Sequence, residues 1–222
     1  MSTARANIMG RLKTSLDKRH NPTVRISTAD QRIKEHAPGL IPKRGQSTGI
    51  ARTEMFADEA RRVSAVVVRV DAMADVPGAV KNAADGARLK IAPHPKLQAL
   101  DWSDQVTEFG IGHGDDPVGL SMAYAGVAET GTLVLRANAS SPTTLNFLPD
   151  THMVVICAAD IEANYEDVWT KVRADAPAGE PIMPRTLNWI TGPSRTADIE
   201  QTILLGAHGP RKLVIILVDE TN

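Results

Sequence analysis

Three short, continuous apolar runs constrain the fold more than any other feature of this sequence. They occupy residues 66–70, 152–158 and 213–218, and each is rich in valine, with isoleucine in the second and third. Runs of this kind are typical of strands that are buried on both faces of a parallel sheet. From about residue 50 onward, helical segments alternate with such strands. We therefore predict an α/β fold, with a Rossmann-like, mostly parallel open sheet and helices on both faces.

Two further segments complete the predicted fold. Residues 124–129 and 132–136 flank the dipeptide Thr130-Gly131, which predicts an antiparallel hairpin around a tight turn. Residues 195–205 follow a Gly-Pro turn, and we predict that they form a helix with Ser194 as its N-cap.

The N-terminal part of the chain differs from the rest. Ile8, Leu12 and Leu16 recur at a spacing of four, which predicts an amphipathic helix, and a second short helix is predicted to follow. Pro- and Gly-containing turns then mark a linker. We predict a helical arm and linker over residues 1–48 and one α/β domain over residues 49–222. Such an arm packs on a neighbouring copy or on a partner, so a homo-oligomer is one expectation.

Charge and hydropathy exclude several classes of partner. The net charge is −1, and the basic residues are spread along the chain, so a nucleic-acid partner is not expected. No apolar stretch approaches the roughly 20 residues that a membrane span requires. The basic N-terminus has the composition of a mitochondrial presequence, but the amphipathic spacing favours the first helix of a cytoplasmic protein.

The cysteine content limits redox chemistry. The sequence contains one cysteine, Cys157, inside an apolar run, whereas an iron–sulfur cluster needs about four cysteine ligands. No histidine or acidic cluster has the spacing of a common metal site. We therefore predict that this chain binds no metal or cofactor itself, and that any iron–sulfur cluster belongs to a partner protein.

The first candidate site follows the predicted strand at residues 186–190. A helix N-terminus at Ser194 would expose free N–H groups to an anion, and Arg195 could clamp a carboxylate or phosphate. Simple helix capping explains the same residues equally well. The anion-binding candidates are Gly192, Pro193, Ser194, Arg195, Thr196 and Asp198, with Glu200 as a further candidate.

Two other segments carry candidate residues. Glu129 stands beside a sharp turn between apolar strands, where a carboxylate could act as acid, base or nucleophile. Thr130, Gly131 and Thr132 complete this turn as candidate ligand-binding residues, although a merely polar turn is the alternative. His208 could carry a proton, but a structural loop histidine explains it as well.

Four strings in this order resemble the LUD-domain family of lactate-utilisation protein C homologues. They are A-E-T-G-T-L-V-L at 128–135, L-P-D-T-H-M-V-V at 148–155, I-T-G-P-S-R-T-A-D-I-E at 190–200 and G-A-H-G-P at 206–210. The resemblance implies a fold similar to the NagB/RpiA/CoA-transferase group. It also implies a bacterial role in oxidising L-lactate to pyruvate, beside partners that carry iron–sulfur or cysteine-rich modules.

The resemblance identifies this chain with the short, cluster-free member of the family, a non-redox subunit whose own catalytic role is open. Two alternatives remain: a stand-alone enzyme of the CoA-transferase or sugar-isomerase type, and a non-catalytic metabolite-binding module. In open α/β sheets, ligands bind at the carboxyl ends of strands. We therefore expect the Glu129 turn and residues 192–200 to meet at that edge and to bind a carboxylate metabolite or a nucleotide-type cofactor.

Overall fold

The computed structural model of this chain describes residues 3–19, 22–37, 39–176, 182–197, 203–205 and 208–220. It divides into two compact units, Met1–Leu40 and Ile41–Asn222. The first unit contains α1 (Thr3–Arg19) and α2 (Pro22–Glu35). The sequence pattern predicts this second helix over residues 27–36, but it begins at Pro22, because proline is well tolerated in the first turn of a helix.

The second unit contains the α/β elements. Its helices are α3 (Gly49–Arg62), α4 (Val76–Ala84), α5 (Pro95–Gln98) and α6 (Tyr165–Ala174). Its strands are β1 (Val66–Val70), β2 (Leu89–Ile91), β3 (Thr107–Phe109), β4 (Val118–Met122), β5 (Ala125–Val127), β6 (Thr132–Arg136), β7 (Thr151–Cys157), β8 (Ile161–Glu162), β9 (Leu187–Ile190), β10 (Arg195–Ala197), β11 (Ile203–Leu205) and β12 (Lys212–Val218). None of the helices in the described ranges is both long and apolar enough to cross a bilayer.

Six strands form the main sheet, in the order β1-β12-β7-β4-β2-β3. Each neighbouring pair in this sheet is parallel. The chain leaves β2 towards β3 on one side and leaves β4 towards β7 on the other side. The adjacent strands β2 and β4 therefore form a topological switch point. The predicted α/β class with a mostly parallel sheet is confirmed.

The central strand β12 shows why its sequence is apolar throughout. Ile216 and Val214 pack in one cluster together with residues of α4. Ile215 and Leu217 pack in a second cluster together with Phe56 of α3. Successive residues of a strand point to opposite faces, so α3 and α4 cover opposite faces of the main sheet.

A second, four-stranded sheet has the order β8-β5-β6-β9. Leu133 and Leu135 of β6 pack in the same cluster as α3 and β7, whereas Val134 packs against α6. The predicted hairpin is present as β5 and β6, which pair antiparallel. The small sheet therefore lies on the α3 side of the main sheet, and α6 covers its outer face.

The predicted helix over residues 195–205 is wrong. Arg195–Ala197 and Ile203–Leu205 are instead the antiparallel strands β10 and β11. Arg195 pairs with Leu205, Thr196 with Leu204 and Ala197 with Ile203, and this strand pairing outweighs the serine-and-acid pattern that suggested a cap. Ser194 is consequently no helix N-cap, and the physical basis for anion binding at a helix end is lost.

A candidate site at the amino edge of the main sheet

A cavity of about 210 Å³ lies at the amino ends of the central strands β7 and β12. His152 and Leu213, each the second residue of its strand, form the side of the cavity that faces the main sheet. Three separate segments supply the rest of its wall. The lining residues are Asn146, Phe147, His152, Trp189, Ile190, Gly192, Pro193, Ser194, His208, Gly209, Pro210 and Leu213.

The loop Gly192-Pro193-Ser194 is held in place by close backbone contacts. Gly192 has a φ of +76°, and a Cβ there would lie only 2.3 Å from the carbonyl oxygen of Val63 at the end of α3. The side chain of Arg195 donates to the same oxygen at 3.2 Å. The backbone N–H of Ser194 donates to the carbonyl of Pro210 at 2.9 Å. The loop is thus fixed to α3 on one side and to the loop before β12 on the other.

Two buried polar atoms of the cavity residues have no hydrogen-bond partner within the described part of the chain. They are Nδ1 of His152 and Oδ1 of Asn146, from side chains whose residues are only 1% and 3% exposed. An unsatisfied buried polar atom costs about 1–3 kcal/mol. Unpartnered polar atoms in residues that line a cavity favour a site that a ligand completes.

The imidazole of His152 is electrically neutral at physiological pH. Burial lowers its pKa to about 3, because the charged form would be removed from water. Its Nε2 lies 3.1 Å from the Oγ of Ser121 on β4. One ring nitrogen of a neutral imidazole donates and the other accepts. In the tautomer in which Ser121 donates to Nε2, Nδ1 carries the proton and is a hydrogen-bond donor.

The Glu129 turn lies beside this site but does not line it. Glu129 is buried at 9% exposure, its N–H donates to the carbonyl of Ala163 at 3.2 Å, and its carbonyl accepts from Arg44. A Cβ on Gly45 would lie 2.9 Å from Glu129 Oε2. The carboxylate is therefore covered by the segment that precedes α3. The described residues that form the cavity wall do not include Glu129.

Gly131 explains why this turn needs its glycine. Its φ is +64°, and a Cβ there would lie 2.2 Å from the backbone nitrogen of Ala60 in α3. The turn thus packs directly on the helix backbone. Gly192 packs on the end of the same helix, so both predicted segments are anchored to α3.

A chain of hydroxyl groups connects the two predicted segments. Oγ1 of Thr132 lies 2.7 Å from Oγ1 of Thr130 and 2.7 Å from Oγ1 of Thr191. The hydroxyl of Tyr165 lies 3.1 Å from both Thr130 and Thr132. The structure therefore brings the Glu129 turn and the start of the Gly192 segment into contact, as the sequence pattern predicts.

The edge at which they meet differs from the expectation. Gly192, Pro193 and Ser194 line a cavity beside His152 and Leu213, at the amino ends of β7 and β12, whereas the carboxyl edge was predicted. The reason is that β9 runs antiparallel to β6 in the small sheet, so its end does not belong to the carboxyl edge of the main sheet.

The remaining predicted residues have different positions. His208 is exposed and lines the cavity, and Arg195 and Thr196 belong to β10. Asp198 and Glu200 lie outside the described residues. Within the described ranges, no group of three or more His, Cys, Asp or Glu side chains is placed to hold a metal ion.

Sequence reasoning did not select Asn146, Ser121 or His152 as site residues. The L-P-D-T-H string pointed to His152, but the missing partner of its ring nitrogen is visible only in three dimensions. Asn146 has no sequence signal beyond its place after Pro142.

Comparison with known proteins gives a consistent result. The family model described as LUD domain matches residues 115–218. A lactate utilization protein C from Geobacillus sp. (strain WCH70) is 33% identical over 129 residues, which are 58% of this chain and 53% of that protein. The lactate utilization protein C of Bacillus subtilis (strain 168) is 32% identical over 103 residues, 46% of this chain and 42% of that protein.

A Neisseria meningitidis protein described as uncharacterized is 40% identical over 100 residues, 45% of this chain and 41% of that protein. The matches thus span about half the length of these relatives or less. A crystal structure of a DUF162 family protein from Deinococcus radiodurans superposes with a TM-score of 0.56 and 24% identity. It covers 77% of this chain and 99% of that chain, and it shows the fold alone. Residues 115–218 thus resemble the LUD domain, and the chain is similar over part of its length to proteins named lactate utilization protein C.

Proposed function

We propose that this chain acts in lactate utilisation, as a LUD-domain subunit of a system that oxidises L-lactate to pyruvate. The observation that carries the proposal is the convergence of three separate family-like strings on one small cavity. The strings contribute His152, the Gly192–Ser194 loop and the His208–Pro210 loop. Relatives named lactate utilization protein C are 33% and 32% identical to this chain over 129 and 103 residues.

The chemistry of the cavity suits a small 2-hydroxy acid. Apolar side chains such as Phe147, Ile190 and Leu213 can contact a methyl group. The unpartnered Oδ1 of Asn146 can accept a hydrogen bond from the hydroxyl of lactate. In the tautomer in which Ser121 donates to Nε2, Nδ1 of His152 can donate to the carboxylate. A volume of about 210 Å³ leaves room for a molecule of this size.

We further propose that electrons from lactate pass to iron–sulfur partner proteins. The single cysteine, Cys157, is buried, and burial raises the pKa of its thiol. One inert thiol cannot ligate a cluster. In this proposal the chain binds and orients lactate, and the redox groups belong to its partners.

The first experiment is anaerobic affinity purification of the tagged chain from lactate-grown cells of its own host. Iron content and lactate-dependent dye reduction are measured on the recovered material. Co-purification of iron–sulfur proteins with dye reduction is expected. Recovery of the chain alone, without iron and without activity, would contradict the proposal.

The cavity variants Asn146→Leu and His152→Leu make the test specific. Each should reduce lactate-dependent dye reduction by at least tenfold while the partners still co-purify, because each removes one contact with the substrate. His113→Leu is the matched control, since His113 is exposed and outside the cavity. Equal activity in all three variants would exclude the cavity as the lactate site.

Glu129 remains a prediction as a catalytic carboxylate. A stand-alone enzyme that uses it should lose turnover in Glu129→Gln, an isosteric change that preserves the packing against Gly45. A variant that folds normally and keeps lactate-dependent activity would remove this role.

A further inference from the structure

A groove at the opposite edge of the main sheet is not used by the proposed function. Its cavity volume is about 370 Å³, and an adjoining cavity of about 500 Å³ shares Asn138, Ser141 and Arg185 with it. Both volumes exceed that of the cavity beside His152. The groove can therefore accommodate a molecule considerably larger than lactate.

The groove lies where the topology favours ligand binding. His94 follows the end of β2, and Ala123 and Tyr124 follow the end of β4. These neighbouring strands form the switch point, because their connections leave the sheet in opposite directions. In open α/β sheets the crevice at the switch point, outside the carboxyl ends, is the usual ligand site.

Two guanidinium groups give the groove its charge. Arg136, from the end of β6, and Arg185, from the segment before β9, both line it. Neither forms an ion pair with a carboxylate among the residues that the structure describes. The guanidinium of Arg136 lies 5.8 Å from the ring centroid of Tyr124, which fixes its position over the aromatic face.

Asp175, the carboxylate that contacts Tyr124 of this wall, already has a hydrogen-bond partner. The hydroxyl of Tyr124 donates to Asp175 at 2.7 Å. Lys171, whose ammonium lies 5.4 Å from the Tyr124 ring centroid, pairs with Asp160. The charge that faces the groove from its described lining is therefore positive.

His94 adds a directed donor to the two arginines. Its Nδ1 accepts a hydrogen bond from the backbone N–H of Lys96 at 3.3 Å. In the neutral ring the proton is then on Nε2, which can donate to a ligand. Burial and the nearby Lys96 lower the pKa of His94, so the neutral ring is the prevailing form.

We propose that this groove binds a phosphorylated small metabolite, with Arg136 and Arg185 holding its phosphate group. Two uncompensated guanidinium charges match a phosphate monoester, which carries about −1.5 to −2 at neutral pH, better than they match a single carboxylate. The planar guanidinium fork also fits phosphate oxygens in a bidentate manner. This proposal does not depend on lactate binding at the other edge.

The test is calorimetric titration of the full chain with inorganic pyrophosphate, at an ionic strength of about 0.15 M to screen weak surface binding. Saturable binding with one site per chain is expected. Arg136→Gln and Arg185→Gln should each weaken it by about tenfold or more, since each removes a charge-assisted contact. Arg136→Lys should recover only part of the affinity, because lysine keeps the charge without the fork.

Arg61→Gln is the matched control, because Arg61 is an exposed residue of α3 that pairs with Asp58. It loses the same charge and should bind pyrophosphate as the unchanged protein does. Absence of saturable binding, or an equal loss in the control, would overturn the proposal. A loss of L-lactate affinity in the two groove variants without a loss of pyrophosphate affinity would overturn it as well, since the groove would then be a carboxylate site.

Discussion

At the amino edge of the main sheet, the cavity beside His152 presents neutral polar atoms among apolar walls, whereas the groove at the carboxyl edge presents two guanidinium charges. The first is small and is built from the strings that resemble the LUD family. The second is larger and lies at the switch point. One sheet thus has two candidate sites of different chemistry, and the rule for open α/β sheets predicts only the one at the carboxyl edge.

The LUD-like strings lead to the cavity at the amino edge, whereas the rule for open α/β sheets leads to the groove at the carboxyl edge. The rule about carboxyl ends applies to loops that follow strands of the main sheet. The Gly192 loop follows β9, which belongs to the small sheet and runs antiparallel to β6. The rule therefore does not apply to this loop.

The largest expected effect is a loss of stability when a side chain is added at Gly192, beside the amino-edge cavity. Gly192→Ala should destabilise the protein by roughly 2–5 kcal/mol, because the left-handed conformation disfavours a side chain and the new Cβ would meet a backbone oxygen. Urea denaturation measures this loss. If the variant remains folded, lactate-dependent activity should fall while pyrophosphate binding at the other edge persists.

Gly78→Ala is the matched control for that change. Gly78 lies in α4, and a Cβ there would meet nothing within 4 Å. Alanine is the better helix former by about 0.5–1 kcal/mol, so equal or greater stability is expected. A Gly192→Ala protein as stable as the Gly78→Ala protein would show that the loop is not fixed to α3 as the structure has it.

The alternation of apolar runs and helices predicts the main sheet, but it misses the central strand β4. Gly119 and Ser121 interrupt its apolar pattern. A Cβ on Gly119 would lie 2.7 Å from Pro149, and Ser121 contacts Nε2 of His152. Close packing and site chemistry require these residues, and both requirements conflict with ordinary strand propensity.

The candidate site could be predicted from the sequence only in part. Gly192, Ser194 and His208 were selected from their motifs, and they do line one cavity. Its other polar residues, Asn146 and His152, come from a short turn and a strand. Their importance arises from missing hydrogen-bond partners, which depend on the tertiary arrangement of distant segments.

The second effect is the pH dependence of stability that the buried His152 causes at the amino edge. The pKa of His152 is lowered to about 3 by burial, against roughly 6.5 in an unfolded chain. Between these values the unfolded state binds more protons, so stability should fall as pH falls from 6.5, by up to about 1.4 kcal/mol per pH unit. Above pH 6.5 this contribution is constant.

His152→Gln tests that slope, because glutamine does not titrate. Urea denaturation at pH 7.0, 5.5 and 4.5 should show a smaller loss of stability on acidification in the variant than in the unchanged protein. Parallel curves would show that His152 is not buried in the neutral form, and the assignment of a neutral donor in the cavity would fail.

A smaller effect concerns the hydroxyl chain that supports the amino edge. Thr132→Val keeps the shape of the side chain but removes the hydroxyl that lies 2.7 Å from Thr191. A cost of about 0.5–1.5 kcal/mol is expected, because the partly buried or exposed hydroxyls around it lose a hydrogen-bond partner but can still reach water. Thr170→Val is the control, since Thr170 is exposed on α6 and bonds its own helix. Equal stability of the two variants would show that the hydroxyl chain contributes nothing.

The smallest effect is the pH dependence of stability that His94 causes at the carboxyl edge. Burial, followed by the charge of Lys96, lowers the pKa of His94, but this residue is only partly buried. Stability should therefore fall with falling pH because of His94, as it does because of His152, but with a shallower slope that His94→Gln removes.

Pyrophosphate distinguishes the two histidines, because a bound anion favours the charged ring of His94 and should reduce the pH dependence of stability that His94 causes. The contribution of His152 should not change, since its cavity lies at the other edge. An equal response of both histidines to pyrophosphate would mean that the two edges do not bind separately, and the contrast between them would then fail.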